Sequence, residues 1–317
     1  MQILRFIKDW TLPVAIATGI TVYLVFALVP ALDGFATAAD PIFQQLLPAF
    51  MFLVLFVTFC KVDYRKLRPV AWHWWIGLFQ VLTVGAIMAL ILCLHLTGDS
   101  LILAEAVLTC IICPCASAAA VVTQKLGGNL EEMTTYTFLS NFITALLIPV
   151  CFPMIDKAAD IHFLEAFALI LYKVFTMLVV PMILAYIVKH HAKGVCQRIT
   201  SVKDLSYYLW GCSLLIVSGT TMKNILHANT SIAFLLVIAV CSLVLCLFQF
   251  GCGRAIGSRF NQTVNAGQAL GQKNTAFAIW IASTYLSPLS SVGPGCYILW
   301  QNIINSWEIW EAQKRRK

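Results

Sequence analysis

Ten runs of mostly apolar residues, each about long enough to cross a bilayer, leave this chain little to become except a bundle of membrane helices. They lie near residues 11–32, 42–60, 73–95, 101–125, 131–154, 163–188, 205–223, 231–252, 264–285 and 292–311. A spanning helix needs about 20 such residues. Lipid offers no partner to a backbone N–H or C=O, so each run predicts an all-α, polytopic membrane protein. The loops between runs are too short for a soluble domain. Charged residues make up 11% of the 317, against about 25% in soluble proteins. The net charge of +7 does not point to nucleic acid, because the basic residues cluster in short loops.

Those loops give an orientation. Seventeen Lys and Arg fall on one side, among them Arg5, Lys8, Arg65, Lys66, Lys189, Lys203, Arg254 and Lys317, while the other side holds Lys157 and Lys223. The basic side is cytoplasmic. Both termini are therefore expected in the cytoplasm, with the chain multi-pass in the plasma (inner) membrane. The first apolar run is too long for a signal peptide and is read as the first span.

The 12 Cys lie mostly inside apolar runs. They read as small packing residues rather than a disulfide framework, which belongs to small secreted domains. Cys110, Cys113 and Cys115 have no His or acid nearby in sequence, so no metal site is assigned and no cofactor is expected. No phosphate loop, paired carboxylates within a run or HExxH motif is present, so the chain is not read as an enzyme.

Two runs look broken. The fourth is interrupted at Cys113-Pro114-Cys115, and proline both removes a donor and clashes with the preceding turn. The ninth carries Gly267 and Gly271 among Gln268, Gln272, Lys273 and Asn274. Each is the fourth of five runs in its half, and Pro114 and Gly271 lie 157 residues apart. Five-run halves predict two inverted repeats, 1–155 and 156–317, and breaks at matching positions mark a transport site. Lys273 stands out within this pair. A cation deep in a membrane helix costs from about 3 kcal/mol to more than 10, so an anion or a proton is expected to use it. The second halves of the broken helices should start near Ser117 and Asn274, with N–H groups that attract an anion.

Other polar positions suit the same site. Thr134, Thr137, Asn141 and Thr144 share one face of the fifth run, either lining a site or bonding between helices. Gln80 lies in the third run with the same two readings. Asn129 and Glu132 resemble a capping box. Lys173 is expected to snorkel to the interface, and His73, among Trp72, Trp74 and Trp75, reads as part of an interfacial aromatic belt.

The strings CPCASAAAVVTQKLGGN (Cys113–Asn129), the Tyr-Thr-Phe-Leu-Ser-Asn-Phe helix after it, and TVNAGQALGQKN (Thr263–Asn274) resemble the bile acid:sodium symporter family. The resemblance implies ten helices in two inverted five-helix repeats. Helices 4 and 9 would cross in a core domain of helices 3–5 and 8–10. Helices 1, 2, 6 and 7 would form a panel domain, with the core moving against the panel in alternating access. Substrate would bind near the crossing, through Ser117, Lys273, Asn274, Thr137 and Asn141. Gln272, Gln268, Gln80 and Thr134 would line it or couple it.

The departures from the family are specific. Four of its sodium-ligand positions carry Ala119, Ala120, Met133 and Ala269, a Thr ligand is retained as Thr137, and the glutamine of the second break aligns with Lys273. Two sodium ions and one Glu sum to +1, as does one Lys without the Glu. The expectation is therefore a secondary transporter of a small or amphipathic organic anion in which Lys273 replaces the bound cations and sodium coupling is lost. A permanently charged Lys273 gives uniport or anion exchange, whereas one that releases its proton makes protons the coupling ion. A sodium symporter using backbone carbonyls and a non-transporting ligand-binding receptor remain as alternatives. Expected partners are the anion and the lipid bilayer.

Overall fold

The computed structural model describes residues 11–155, 163–202, 205–227 and 230–315. Among these the regular structure is helical, with no strand. The helices are α1 (Thr11–Leu28), α2 (Asp33–Lys61), α3 (Ala71–Cys93), α4 (Gly98–Ile112), α5 (Ala119–Lys125), α6 (Leu130–Ile155), α7 (Phe163–Leu178) and α8 (Val180–His191). They continue with α9 (Lys193–Ser201), α10 (Leu205–Leu226), α11 (Ile232–Ser258), α12 (Thr263–Gly271), α13 (Thr275–Tyr285) and α14 (Val292–Arg315). Four stretches among the described residues, Ala71–Cys93, Leu130–Ile155, Phe163–His191 and Ile232–Ser258, are individually long and apolar enough to cross a membrane. Arg5, Lys8, Lys157, Lys203, Arg316 and Lys317, on which the orientation partly rests, lie outside the described residues.

The sixth run divides into α7 and α8 because Pro181 has no N–H to return to the Met177 carbonyl. Helix α9 was not expected from the sequence, being too short and polar to register as a span. Its Cys196 is buried, and the thiol reaches the Cys60 carbonyl at 3.7 Å. His73 corrects the reading of an interfacial belt. It is 1% exposed, and its Nδ1 accepts the Val70 N–H at 3.1 Å, capping α3. Lys173 instead keeps to the surface, its Nζ 5.5 Å from the centre of the Tyr285 ring. Only half of the capping box at α6 forms: Asn129 Oδ1 accepts the Glu132 N–H at 3.1 Å, but the Glu132 carboxylate takes the Asn129 Nδ2 at 3.2 Å, while the Asn129 backbone N–H goes to Asn265 Oδ1 at 2.9 Å. Glu132 also accepts the Trp72 indole at 2.7 Å, and Glu131 pairs with Lys66 at 3.0 Å.

The helices group into two compact units. In the unit of α1, α2, α8, α9 and α10, α1 packs along α10. There Gly19 abuts the Leu215 carbonyl, and Gly219 faces the Gly19 carbonyl. Helices in lipid gain little from hydrophobicity, so small residues that let backbones touch drive such contacts. The second unit holds α3 to α7 and α11 to α14. Here α12 lies along α11, admitted by Gly253 and Gly257. A side chain at Gly253 would collide with the Ala266 carbonyl, and one at Gly257 with that of Gln262. This packing brings the two broken helices, α4–α5 and α12–α13, together within one unit.

Candidate functional site

Pro114 ends α4, and the chain leaves it extended at Cys113 (φ −66°, ψ 151°), then turns at Ser117 and Ala118 (φ −69°, ψ −19°) into α5, which begins at Ala119. On the other side α12 stops at Gly271, Gln272 is extended, and Asn274 caps α13 by accepting the Phe277 N–H on Oδ1 at 3.2 Å. The two extended segments cross as an antiparallel bridge between Cys115 and Lys273. Ala116 donates its N–H to the Gln272 carbonyl and Asn274 to the Pro114 carbonyl, both at 2.9 Å. Each bridge residue is also held by the next helix after its broken pair. Ser140 Oγ on α6 accepts the Cys115 N–H at 2.8 Å. Gln301 on α14 accepts the Lys273 N–H at 2.9 Å and donates to its carbonyl at 3.2 Å. Unwound backbone thus finds partners where lipid supplies none.

Neither Ser140 nor Gln301 was singled out from the sequence, although Ser140 sits within the polar face of α6. Replacing Ser140 by Ala leaves the Cys115 N–H buried without an acceptor, at a cost of about 1–3 kcal/mol. The expected lower melting temperature in detergent should be recovered by Ser140→Thr.

Lys273 is 1% exposed. Its Nζ donates to the Ile111 carbonyl at 2.9 Å and to the Cys113 carbonyl at 3.2 Å. These belong to the last turn of α4, where unpaired carbonyls and the helix dipole favour a cation. The same turn receives Gln80, whose Nε2 donates to Ile111 and Ile112 at 3.1 Å each. Thr144 Oγ1 donates to Ile112 at 2.8 Å. No acidic side chain pairs with Lys273 among the described residues. The buried acids of the unit are engaged elsewhere: Glu105 accepts the Ser287 N–H at 3.2 Å, and Glu308 pairs with Arg254.

Ala119, Ala120, Met133 and Ala269, distant in sequence, meet in one buried apolar cluster with Trp72, Ile76 and Tyr136. Polar positions distribute less uniformly. Ser117 and Asn274 are half-exposed at the crossing, and no acceptor among the described residues meets the N–H of Ser117 or Ala118. Thr137 bonds back to Met133 at 3.0 Å and reaches the Cys115 thiol. Thr134 is spent on Leu130 in its own helix. Asn141 is 1% exposed with neither amide atom partnered. Gln272 contributes its backbone to the bridge and leaves Oε1 unpartnered. Gln268 turns from the crossing to Asn305 and Glu308. The arrangement holds a fixed cation at a helix end, with backbone donors beside it.

A protein-family model described as Sodium Bile acid symporter family matches residues 48–248, more than half of the chain. The first break lies inside that match, while the second, with Lys273, lies beyond it. No curated protein matches the chain.

Proposed function

The chain belongs to the sodium bile acid symporter family and is accordingly a multi-pass membrane transporter rather than an enzyme; from that premise we propose that it carries a small or amphipathic organic anion by alternating access, without sodium. The observation that carries this reading is the ammonium of Lys273 on the Ile111 and Cys113 carbonyls. Sodium requires several oxygen ligands. The carbonyls of that helix end already receive Lys273, Gln80 and Thr144, and four of the aligned ligand positions form an apolar cluster, leaving Thr137 as the retained side-chain oxygen. With no acid beside it, Lys273 leaves a net positive charge at the crossing for an anion to neutralise. The open N–H groups at Ser117 and Ala118 suit its carboxylate or sulfonate.

Two inverted repeats of five helices are part of the proposal, and matched contacts support them. Asn265 on α12 accepts the Asn129 N–H, after α5, at 2.9 Å. Glu105 on α4 accepts the Ser287 N–H, after α13, at 3.2 Å. Each first half-helix therefore holds the far end of the other's second half. Insertion in the inner membrane with both termini cytoplasmic rests on the bias of Lys and Arg among the loops.

The test is uptake of labelled bile acids and shorter organic acids into proteoliposomes, with sodium replaced by choline. The expected change is less than twofold. A tenfold loss in choline would establish sodium coupling and overturn the proposal, and binding without uptake of any anion would favour a receptor.

A further inference from the structure

Lys173 is a second cation within a spanning stretch, and its counter-charge is missing. It lies about ten residues into α7, inside the apolar span Phe163–His191. At 1.5 Å per residue that is roughly 15 Å from the start of the helix. The side chain is exposed, as are Leu169, Tyr172 and Phe175 around it. No carboxylate among the described residues pairs with it. Its Nζ stands instead 5.5 Å from the centre of the Tyr285 ring. The hydroxyl of that same ring is buried and has no hydrogen-bond partner among the described residues. Snorkelling accounts for the reach of a lysine, but not for a phenol left without an acceptor. A charged donor and a neutral donor thus share one aromatic ring, and what both lack is an anionic oxygen. Ionisable residues inside spanning helices mark substrate pathways, because their burial is otherwise unfavourable.

The pair is separate from the crossing. Helix α13 runs from its cap at Asn274 to Tyr285 over 11 residues, roughly 16 Å. The loops at this end, 94–97 before α4 and 286–291 after α13, contain no Lys or Arg, so it is the side opposite the basic loops. Glu105, bound at the same end, accepts the Ser287 N–H at 3.2 Å. We infer that Lys173 and Tyr285 form a second oxyanion site on the outer half of the protein, with Nζ and the phenol both donating to one carboxylate, sulfonate or phosphate group. Two sources supply that chemistry: an organic anion on its way to the crossing, and the headgroup of an anionic lipid. In the first case the inference rests on the anion-carrier reading. The ammonium then provides attraction at the mouth, and the hydroxyl selects a group with more than one acceptor oxygen.

The test uses the full chain carrying Lys273→Met, which removes the charge at the crossing and leaves the outer pair intact. Thermal shift in neutral detergent is titrated with cholate in one arm and with a short-chain phosphatidylglycerol in the other. At least one of the two should stabilise the protein. Adding Lys173→Gln should weaken that apparent affinity about tenfold or more, the usual loss for a charged hydrogen bond, and adding Tyr285→Phe about threefold, that of a neutral one. Lys173→Arg should retain it. A response to cholate identifies the ligand as cargo, and Lys173→Gln alone should then raise the KM of cholate uptake while kcat holds. A response to phosphatidylglycerol alone identifies a lipid. Stabilisation by neither probe, or affinities that Lys173→Gln and Tyr285→Phe leave unaltered, would overturn the inference. The two readings fail separately. Cholate binding to the wild type that vanishes entirely with Lys273→Met, beside no response to the lipid, removes the outer site and leaves the carrier reading standing. Lipid binding that needs Lys173, in a protein indifferent to every organic acid, keeps the site and removes that reading.

Discussion

Lys273→Met is expected to lower anion transport at least 100-fold while changing stability by no more than about 2 kcal/mol. The two effects separate for a physical reason. Burying an ammonium costs several kcal/mol of desolvation, and its hydrogen bonds roughly repay that cost, so an apolar replacement of similar volume is often neutral. Methionine removes the cost and the bonds together. The carbonyls of Ile111 and Ile112 keep Gln80 and Thr144, so the end of α4 remains mostly satisfied. The positive charge at the crossing is not replaced, because Arg254 is engaged with Glu308. A 100-fold loss corresponds to about 2.7 kcal/mol of transition-state stabilisation. Initial uptake rates measured beside melting temperatures check the claim. Equal losses in both would reduce Lys273 to a structural residue, and retained uptake would remove it from the mechanism.

The second large effect is on folding. Gly253→Leu should lower stability by about 3 kcal/mol or more and leave little monodisperse protein after solubilisation. Overpacking usually costs about 1–3 kcal/mol, and more where the neighbour cannot yield. Here the neighbour is the Ala266 backbone carbonyl rather than a flexible side chain. Relief requires α12 to move off α11, and α12 carries the second break. Gly251, on the same helix, faces open space with nothing within 4 Å of where a side chain would start, so Gly251→Leu should behave as wild type in size-exclusion and thermal-melt measurements. Equal behaviour of the two variants would contradict the packing described for α11 and α12.

Most helix positions were legible because lipid enforces a simple rule: an apolar run must satisfy its own backbone. The breaks were legible too, since Pro114 and the Gly271 region interrupt otherwise regular patterns. What could not be read was the company these residues keep. His73 looks interfacial beside three tryptophans, yet α3 turns it inward, where the Val70 N–H makes it a cap. Gln268 was grouped with Gln272 by sequence proximity, but the helix stops at Gly271, so Gln272 joins the extended segment while Gln268 stays on α12 and reaches Asn305 and Glu308 on α14. Ser140 and Gln301 carry no distinguishing motif. Their importance arises only because the bridge residues Cys115 and Lys273 fall opposite them. Gly253 and Gly257 did carry a signal, the spacing of two small residues one turn apart, which went unread beside the more prominent glycines of the ninth run.

The bridge between Cys115 and Lys273 is made by main-chain atoms, and that bears on how such a carrier diversifies. Peptide groups are the same whatever side chain they bear, so the scaffold at the crossing imposes little demand on the identity of residues 115 and 273. A single codon can exchange an amide for an amine there without redrawing the architecture. Energy source and cargo can therefore drift among descendants while the joint on which both depend is inherited intact.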